Sequence, residues 1–416
     1  MRFFFGIFLW WIYMPLIRVL SWLLFFHPKL RDRYQFEKRN KFEYLAQSFK
    51  EWGETADLCF EFSSEGEFQQ VAPLVHDALA EGKKVELVFF SPSVEKAIMN
   101  LAEQYPRQIR YLRFPILRIL PFVYRRSFNH WVSAKTLILV RYDLLPEIYY
   151  WSLKNGNELR MIWVTFKKER SGKKEISPWK KSFLKRAKKI IYAGETDQKQ
   201  GEVLGFKGHI YDFRIEQIRR RLVQKTEKFQ TAFPAYPKLS EILQGKKTLI
   251  VGNAWPSDLF LLEKLPKDVF LMIVPHQLSL EIITAFEEGL RKLGRIPLVY
   301  TDGELSSTDT LILNKKGVLC ELYADFQYAY VGGGFEGSIH SVLEPLISGS
   351  VSISCGPRHH RSTEFDLAHE MNRIVEVKTP DGFLDFINSQ AEPAGHDKLK
   401  KLIGNYQSLR EYVITC

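Results

Sequence analysis

Short, almost continuously apolar runs recur along this chain, separated by segments of helical periodicity, and they fall into two series. The first series comprises Asp57–Ser63 (DLCFEFS), Lys84–Phe90 (KVELVFF), Gln108–Phe114, Thr136–Asp143 (TLILVRYD), Leu159–Phe166 (LRMIWVTF) and Lys189–Ala193, with helical patterns at Glu67–Ala80 and Ser93–Gln104. A strand that is apolar on both faces has to be covered on both faces, and helices between successive strands make parallel connections. A charged helical stretch, Arg214–Lys246, then passes through FPAYPKLS and marks a domain boundary. The second series follows: Thr248–Gly252, Val269–Pro275, Pro297–Thr301, Thr310–Leu313, Phe326–Val331, Val351–Ser354 and Ile374–Val377, closed by a helix-like Asp397–Tyr412. The pattern predicts an α/β chain of two Rossmann-like domains with a cleft between them, residues 28–222 and 223–416. A length of 416 residues is ample for two cores.

The cysteines, Cys59, Cys320, Cys355 and Cys416, are far apart and show no CxxC spacing, which argues against a zinc site or a disulfide framework and for a reducing compartment. His359–His360 is the one adjacent histidine pair, and no HExxH spacing occurs, so neither a metal nor a cofactor is expected. The net charge of +11 is concentrated at Lys29–Lys41, Arg107–Arg126 and Lys167–Lys189. No nucleic-acid-binding module accompanies these runs, so no nucleic-acid partner is expected. An anionic membrane surface or an acidic lipid fits better, because residues 3–26 read FFFGIFLWWIYMPLIRVLSWLLFF. That stretch is long enough to cross a bilayer, although Pro15 and Arg18 interrupt it. It lacks a small-residue cleavage site, carries interfacial tryptophans (Trp10, Trp11, Trp22) and is followed by HPKLRDRYQFEKRNK, a flank of the kind that stays cytoplasmic. Residues 1–27 are therefore expected to be a membrane anchor, spanning or interfacial, with a buried soluble helix as the alternative.

Five segments have the composition of sites. In VGGGFEGSIHSVLEP (Val331–Pro345) an apolar run ends in Gly332, Gly333 and Gly334, and Ser338 is a plausible N-cap for a helix carrying Val342, Leu343 and Leu346. Glycines let backbone approach a ligand, and helix N-terminal amides suit an anion. Glu344 stands where a carboxylate can accept from a ribose; a tight turn before a buried helix is the plainer reading. In SSEGEFQQVAPLV, from Ser63, Glu67 opens a helix at a strand end, the place for a base, or simply an acid favoured by the macrodipole. VGNAWPSD (Val251–Asp258) and VPHQ (Val274–Gln277, with Pro275 and His276) are also strand ends. CGPRHHRSTEF (Cys355–Phe365) sets Arg358, His359, His360 and Arg361 on a loop, cations for an anion or merely a solvated basic turn.

Taken in order, the strand-end GE, GNAWPSD, VPHQ, LYADFQYAYVGGGF, IHSVLEP and CGPRHH resemble the 3-deoxy-D-manno-octulosonate (Kdo) transferase family. The resemblance runs from the N-terminal anchor to the basic loop and is most specific in the second domain. It implies a GT-B fold and an inverting, metal-independent transfer of Kdo from CMP-Kdo to a lipid A precursor, at the cytoplasmic face of the inner membrane. It further implies Glu67 as general base, with Gly332, Gly333, Gly334, His340, Ser341 and Arg358 around the donor phosphate. Glu344 would hold the CMP ribose, and Pro275–His276 would line the donor side. Arg113, Arg118 and Asp143 would lie on the acceptor side. Several positions depart from the family: Glu65 beside Glu67, Ser341 for the usual Asn, Gln277 for Glu and Asn253 for Ser. RYDLLPE (Arg141–Glu147) lacks the Trp of the family's acidic-tryptophan motif, and the acceptor segment reads TFKKERSGKKE. The donor half is kept better than the acceptor half. A catalytically silent relative and a transferase using another sugar donor are the competing readings.

Overall fold

The computed structural model describes residues 28, 31–33, 35, 48–114, 128–141, 144–166, 176–224, 227–349, 351–359, 362–389 and 396–415. They form two compact units: one extends to Arg214 and includes Tyr406–Cys416, and the other is Ile215–Asn405. The expected anchor, residues 1–27, lies outside the described residues. Among those described, no helix is long and apolar enough to cross a membrane.

Every apolar run becomes a strand, with ends shifted by up to two residues and the Asp143 end of its run outside the described residues. In the first unit these are β1 (Leu58–Phe62), β2 (Val85–Phe89), β3 (Ile109–Arg113), β4 (Thr136–Val140), β5 (Glu158–Val164) and β6 (Ala187–Tyr192), with an additional two-residue β7 (His209–Ile210). The sheet order is β3-β2-β1-β4-β5-β6-β7, and every pairing is parallel. β1, β2 and β4 are buried at all positions, as double-faced covering requires. That burial extends to Glu86 of β2, which accepts from the Ser133 amide (2.9 Å), the Ser133 hydroxyl (2.7 Å) and the Ala134 amide (3.1 Å). Burial still holds its carboxyl above the usual range, against those hydrogen bonds.

The second unit contains β8 (Thr248–Ala254), β9 (Phe270–Pro275), β10 (Leu298–Tyr300), β11 (Thr310–Leu313), β12 (Tyr328–Val331), β13 (Ser352–Cys355) and β14 (Ile374–Glu376), ordered β10-β11-β9-β8-β12-β13-β14 and again all parallel. In the first sheet the chain winds outward in both directions from β1; in the second it winds outward from β8 through β12, β13 and β14, while on the other side it reaches the edge at β10 before β11 is inserted between β10 and β9. The windings part between β1 and β4 in one sheet and between β8 and β12 in the other. Loops leaving the carboxyl ends of those strand pairs bound the crevice where open α/β sheets hold ligands.

The closing segment is two helices, His396–Gly404 and Tyr406–Ile414, rather than one. Where the sequence reading places 223–416 in a single domain, the last helix clusters with the first unit, because its partners are there. Tyr406, Leu409, Val413 and Ile414 are buried, and the carboxylate of Asp77 on helix Glu65–Ala80 accepts from Tyr406 Oη (2.7 Å) and Arg410 Nε (3.0 Å). Arg160 of β5 donates to the Val413 carbonyl. Asp77→Ala removes the acceptor shared by two buried donors, although Arg410 keeps its ion pair with Glu81, and is expected to destabilise the chain by about 2 kcal/mol in urea unfolding; an unchanged midpoint would show that the Asp77 carboxylate does not help to hold the last helix.

Candidate functional site

The crevice of the second sheet is built around a buried carboxylate. β8 leaves the sheet through Asn253, at φ 51, and a register shift between Gly252 and Ala254. A short helix, Pro256–Lys264, follows, with Trp255 as its N-cap residue and Asp258 at its third position. Asp258 is almost fully buried and accepts from the Trp255 amide (2.9 Å), the Gly333 amide (3.3 Å) and the Tyr330 hydroxyl (3.1 Å). One side chain thus fastens the turn after β8 to the turn after β12. Burial holds its carboxyl above the usual range, opposed by those same hydrogen bonds.

The glycine turn is shaped by neighbouring backbone. Gly333 has φ 92, and a Cβ on Gly334 would lie 2.5 Å from the Gly356 Cα. The Gly332 amide donates to Gly252, extending the β8–β12 ladder, and the Gly332 carbonyl accepts from the His340 amide at 3.3 Å. Arg358 pins the turn through its backbone, donating to the Gly334 carbonyl (3.1 Å) and accepting from the Ile339 amide (3.2 Å), while its exposed guanidinium reaches the Glu336 carbonyl (2.6 Å).

Next to this turn three rings converge. Trp255 Nε1 donates to His340 Nε2 at 3.2 Å with the two rings nearly coplanar (7°). His276, just past Pro275 at the end of β9, stacks on His340 at 4.1 Å and on Trp255 at 5.0 Å. Burial, with His276 adding to it, pushes His340 down to about 4, so at neutral pH it is an uncharged acceptor with its proton on Nδ1. His276 itself is exposed.

The helix after the turn differs from expectation. It begins at Leu343, four residues past the expected start after Ser338, and ends at Ser348. Over those residues the Ile339 amide donates to the Arg358 carbonyl and the His340 amide to the Gly332 carbonyl. Its first amides are not open to an incoming anion, because Glu364 Oε2 accepts from Val342 (2.7 Å), Leu343 (3.3 Å) and the Ser341 hydroxyl (3.0 Å). Glu344 is half-buried with the Arg221 guanidinium 3.8 Å away, and Arg221 is itself held by both oxygens of buried Glu321 at 2.9 Å. Neither Glu364 nor Arg221 was singled out from sequence. Their partners lie 22 and 100 or more residues away, and no local spacing marks such pairs.

In the first unit, Glu67 occupies the third position of helix Glu65–Ala80 at the end of β1. Its buried carboxylate accepts from the Ser63 amide at 2.6 Å and lies 3.8 Å from the Arg141 guanidinium, which leaves the neighbouring strand β4. Glu65, two positions away on the helix, is exposed on a different face. Arg141 has φ 64 and stacks on Trp163 at 4.0 Å, while Trp163, at φ 55 in a β5 irregularity, meets Arg214 on a 5.4 Å contact. Arg113 is engaged by Glu95 (3.2 Å) and the Phe90 carbonyl (3.3 Å). Arg118, Asp143, His360 and Arg361 lie outside the described residues. Farther along RYDLLPE, Glu147 is buried against the Phe128 amide (3.0 Å), and burial pushes its carboxyl up to about 7. Among the described residues no group of three or more His, Cys, Asp or Glu is placed to hold a metal ion.

No family model and no curated protein matches the sequence. Solved structures do match its fold. UDP-GlcNAc 2-epimerase from Methanocaldococcus jannaschii aligns over 85% of this chain and 99% of its own at 10% identity and TM-score 0.52. A glycosyltransferase from Rickettsia africae ESF-5 aligns over 87% and 99% at 9% identity and TM-score 0.51. The C-terminal CMP-Kdo binding domain of WaaA from Acinetobacter baumannii aligns over 49% of this chain and 98% of its own at 19% identity, but its TM-score of 0.31 carries no weight. The chain has the GT-B arrangement of two Rossmann-like domains, a fold shared by transferases and epimerases.

Asp258→Ala leaves two amides and a hydroxyl without their acceptor and is expected to lower stability by about 3 kcal/mol, with Asp258→Asn intermediate, in urea unfolding of the full chain. Glu147 gives a pH signature. Its folded carboxyl titrates near 7, above its ordinary 4.5, so the fold binds the proton more tightly than the unfolded chain does. Its contribution is therefore complete below about pH 4.5 and falls by about 3 kcal/mol as pH rises to 7. Glu147→Gln is expected to flatten that decline, and an identical pH profile for the variant would disprove it.

Proposed function

We propose that this chain is a glycosyltransferase that moves Kdo from CMP-Kdo to a lipid A precursor, working from the cytoplasmic side at an anionic inner-membrane surface to which residues 1–27 anchor it. The observation that carries this reading is the order of its motifs, which begins at Glu67 beside the β1–β4 crevice and continues through the glycine turn beside the β8–β12 crevice. In this reaction an acceptor hydroxyl oxygen bonds to the anomeric carbon of Kdo, the bond from that carbon to the CMP phosphate breaks, and Glu67 takes the hydroxyl proton. Arg141 lies 3.8 Å from this carboxylate and would help to hold it at the strand end. Gly332, Gly333, Gly334, Ser341 and Arg358 receive the CMP phosphate and Glu344 the ribose. His276, itself exposed, meets the base, with Pro275 and His340 beside it. Arg113, Arg118 and Asp143 serve the acceptor side.

Phosphate binding at the amides of Val342 and Leu343 requires that Glu364 give way, and the ribose must compete with Arg221 for Glu344. Those two contacts favour a second reading, a nucleotide-binding relative without turnover.

CMP release by detergent-solubilised full chain, supplied with CMP-Kdo and a lipid A precursor, separates them. Glu67→Gln is expected to lower release at least about 100-fold while leaving CMP-Kdo affinity within about twofold. Glu364→Gln removes a negative charge from the phosphate position and is expected to tighten CMP-Kdo binding about fivefold. Donor binding without CMP release establishes the second reading, and preference for a UDP-sugar overturns the CMP-Kdo assignment.

A further inference from the structure

We propose that the β3 edge of the first sheet carries a binding site for a small amphiphilic anion, a phosphate or carboxylate head on an apolar tail. β3 is the edge strand, and a cavity of about 350 Å³ lies between it, helix Glu95–Gln104 and Trp52. This size lies within the range of small-molecule sites. Its wall is mainly apolar: Met99, Ala102, Pro106 and Tyr111 contribute, and Met99 and Trp52 are exposed large hydrophobic side chains.

One charged group is built into this wall. Arg110 is only 8% exposed, and its Nη1 donates to the carbonyls of Pro106 (2.6 Å) and Ile109 (2.5 Å). Its Nε and Nη2 are buried and make no hydrogen bond among the described residues. A guanidinium remains charged at any physiological pH, so two unmatched N–H groups on it are a standing demand for an acceptor. Nε and Nη2 form one edge of the guanidinium, the fork that two oxygens of a carboxylate or phosphate match side-on. Trp52 and Phe49 lie over the guanidinium, at 3.6 Å and 5.1 Å, so a head group reaches the fork in the guanidinium plane, beside an indole that is 55% exposed and has room to shift. The tail then lies along Met99 and Tyr111.

Glu103 also lines the cavity and opposes an anionic head. It therefore distinguishes a net anion from a zwitterion, because removing it strengthens binding of the former and weakens binding of the latter.

The test uses the full chain in amphipol and calorimetric titration with octyl phosphate, octanol and inorganic phosphate, with indole emission as a second signal. Octyl phosphate is expected to bind at least tenfold more tightly than either of the others. Arg110→Met keeps the stacking volume and removes the fork, and is expected to abolish the preference for octyl phosphate over octanol. Ala102→Phe fills the cavity from the opposite wall and is expected to weaken octyl phosphate at least tenfold, with thermal melting verifying that both variants fold. Glu103→Gln is expected to tighten it. Octanol binding as tightly as octyl phosphate, inorganic phosphate doing so, an undiminished preference in Arg110→Met, or weaker binding in Glu103→Gln would each overturn the proposal.

Discussion

The geometry of the second unit depends on Asp258. A parallel sheet leaves its strand-end loops without ladder partners, and two such loops meet where β8 and β12 lie side by side. Asp258 resolves this by accepting from an amide in each, Trp255 and Gly333, and from Tyr330 on β12 itself. A buried carboxylate is costly unless its lone pairs are filled, and here the three donors that fill them are the ones the turns leave over. The arrangement of Trp255, His276 and His340 follows, since Trp255 is held at the base of the helix that carries Asp258.

The first unit handles its corresponding strand end by different means. Glu67 caps the chain leaving β1 through the Ser63 amide, and Arg141 approaches it from β4 while lying against Trp163. Arg141 and Trp163 both occupy the left-handed backbone region, an uncommon conformation for side chains of that size. Such backbone persists where surrounding packing imposes it, and here Arg141 is stacked on Trp163 with its guanidinium 3.8 Å from the carboxylate. The anion sites are treated unequally as a result. Glu67 has a cation at hand, whereas the amides at Val342 and Leu343 already hold a carboxylate from Glu364.

Much of the fold was legible because burial on both faces leaves a continuous apolar run, and such runs at Leu58–Phe62, Val85–Phe89 or Thr310–Leu313 need no tertiary information to be seen. The two-residue β7 carries too little pattern to be read that way. The start of the helix after the glycine turn was misplaced for a related reason. Ser338 has the chemistry of an N-cap, but the amides that follow it go elsewhere, Ile339 to the Arg358 carbonyl and His340 to the Gly332 carbonyl, and the helix starts only at Leu343. Glycine composition announced a turn at Gly332–Gly334, and the close approach to Gly356 that requires it could come only from the packing of β12 against β13.

By itself, the sequence determined two parallel sheets, the strand ends that carry Glu67, His276 and the glycine turn, and the order of motifs from which a donor-binding half can be argued. Hydrophobic periodicity and turn chemistry are local properties, and they survive in a bare string of residues. Tertiary structure alone decided what each polar group touches: Asp258 on Gly333, Glu364 on the helix amides, Arg221 on Glu321 and near Glu344, Arg141 near Glu67, and the last helix on Asp77. Those contacts arise from satisfying buried donors and charges between segments distant in sequence. Which pairs meet is set by the sheet order, and no local pattern records it.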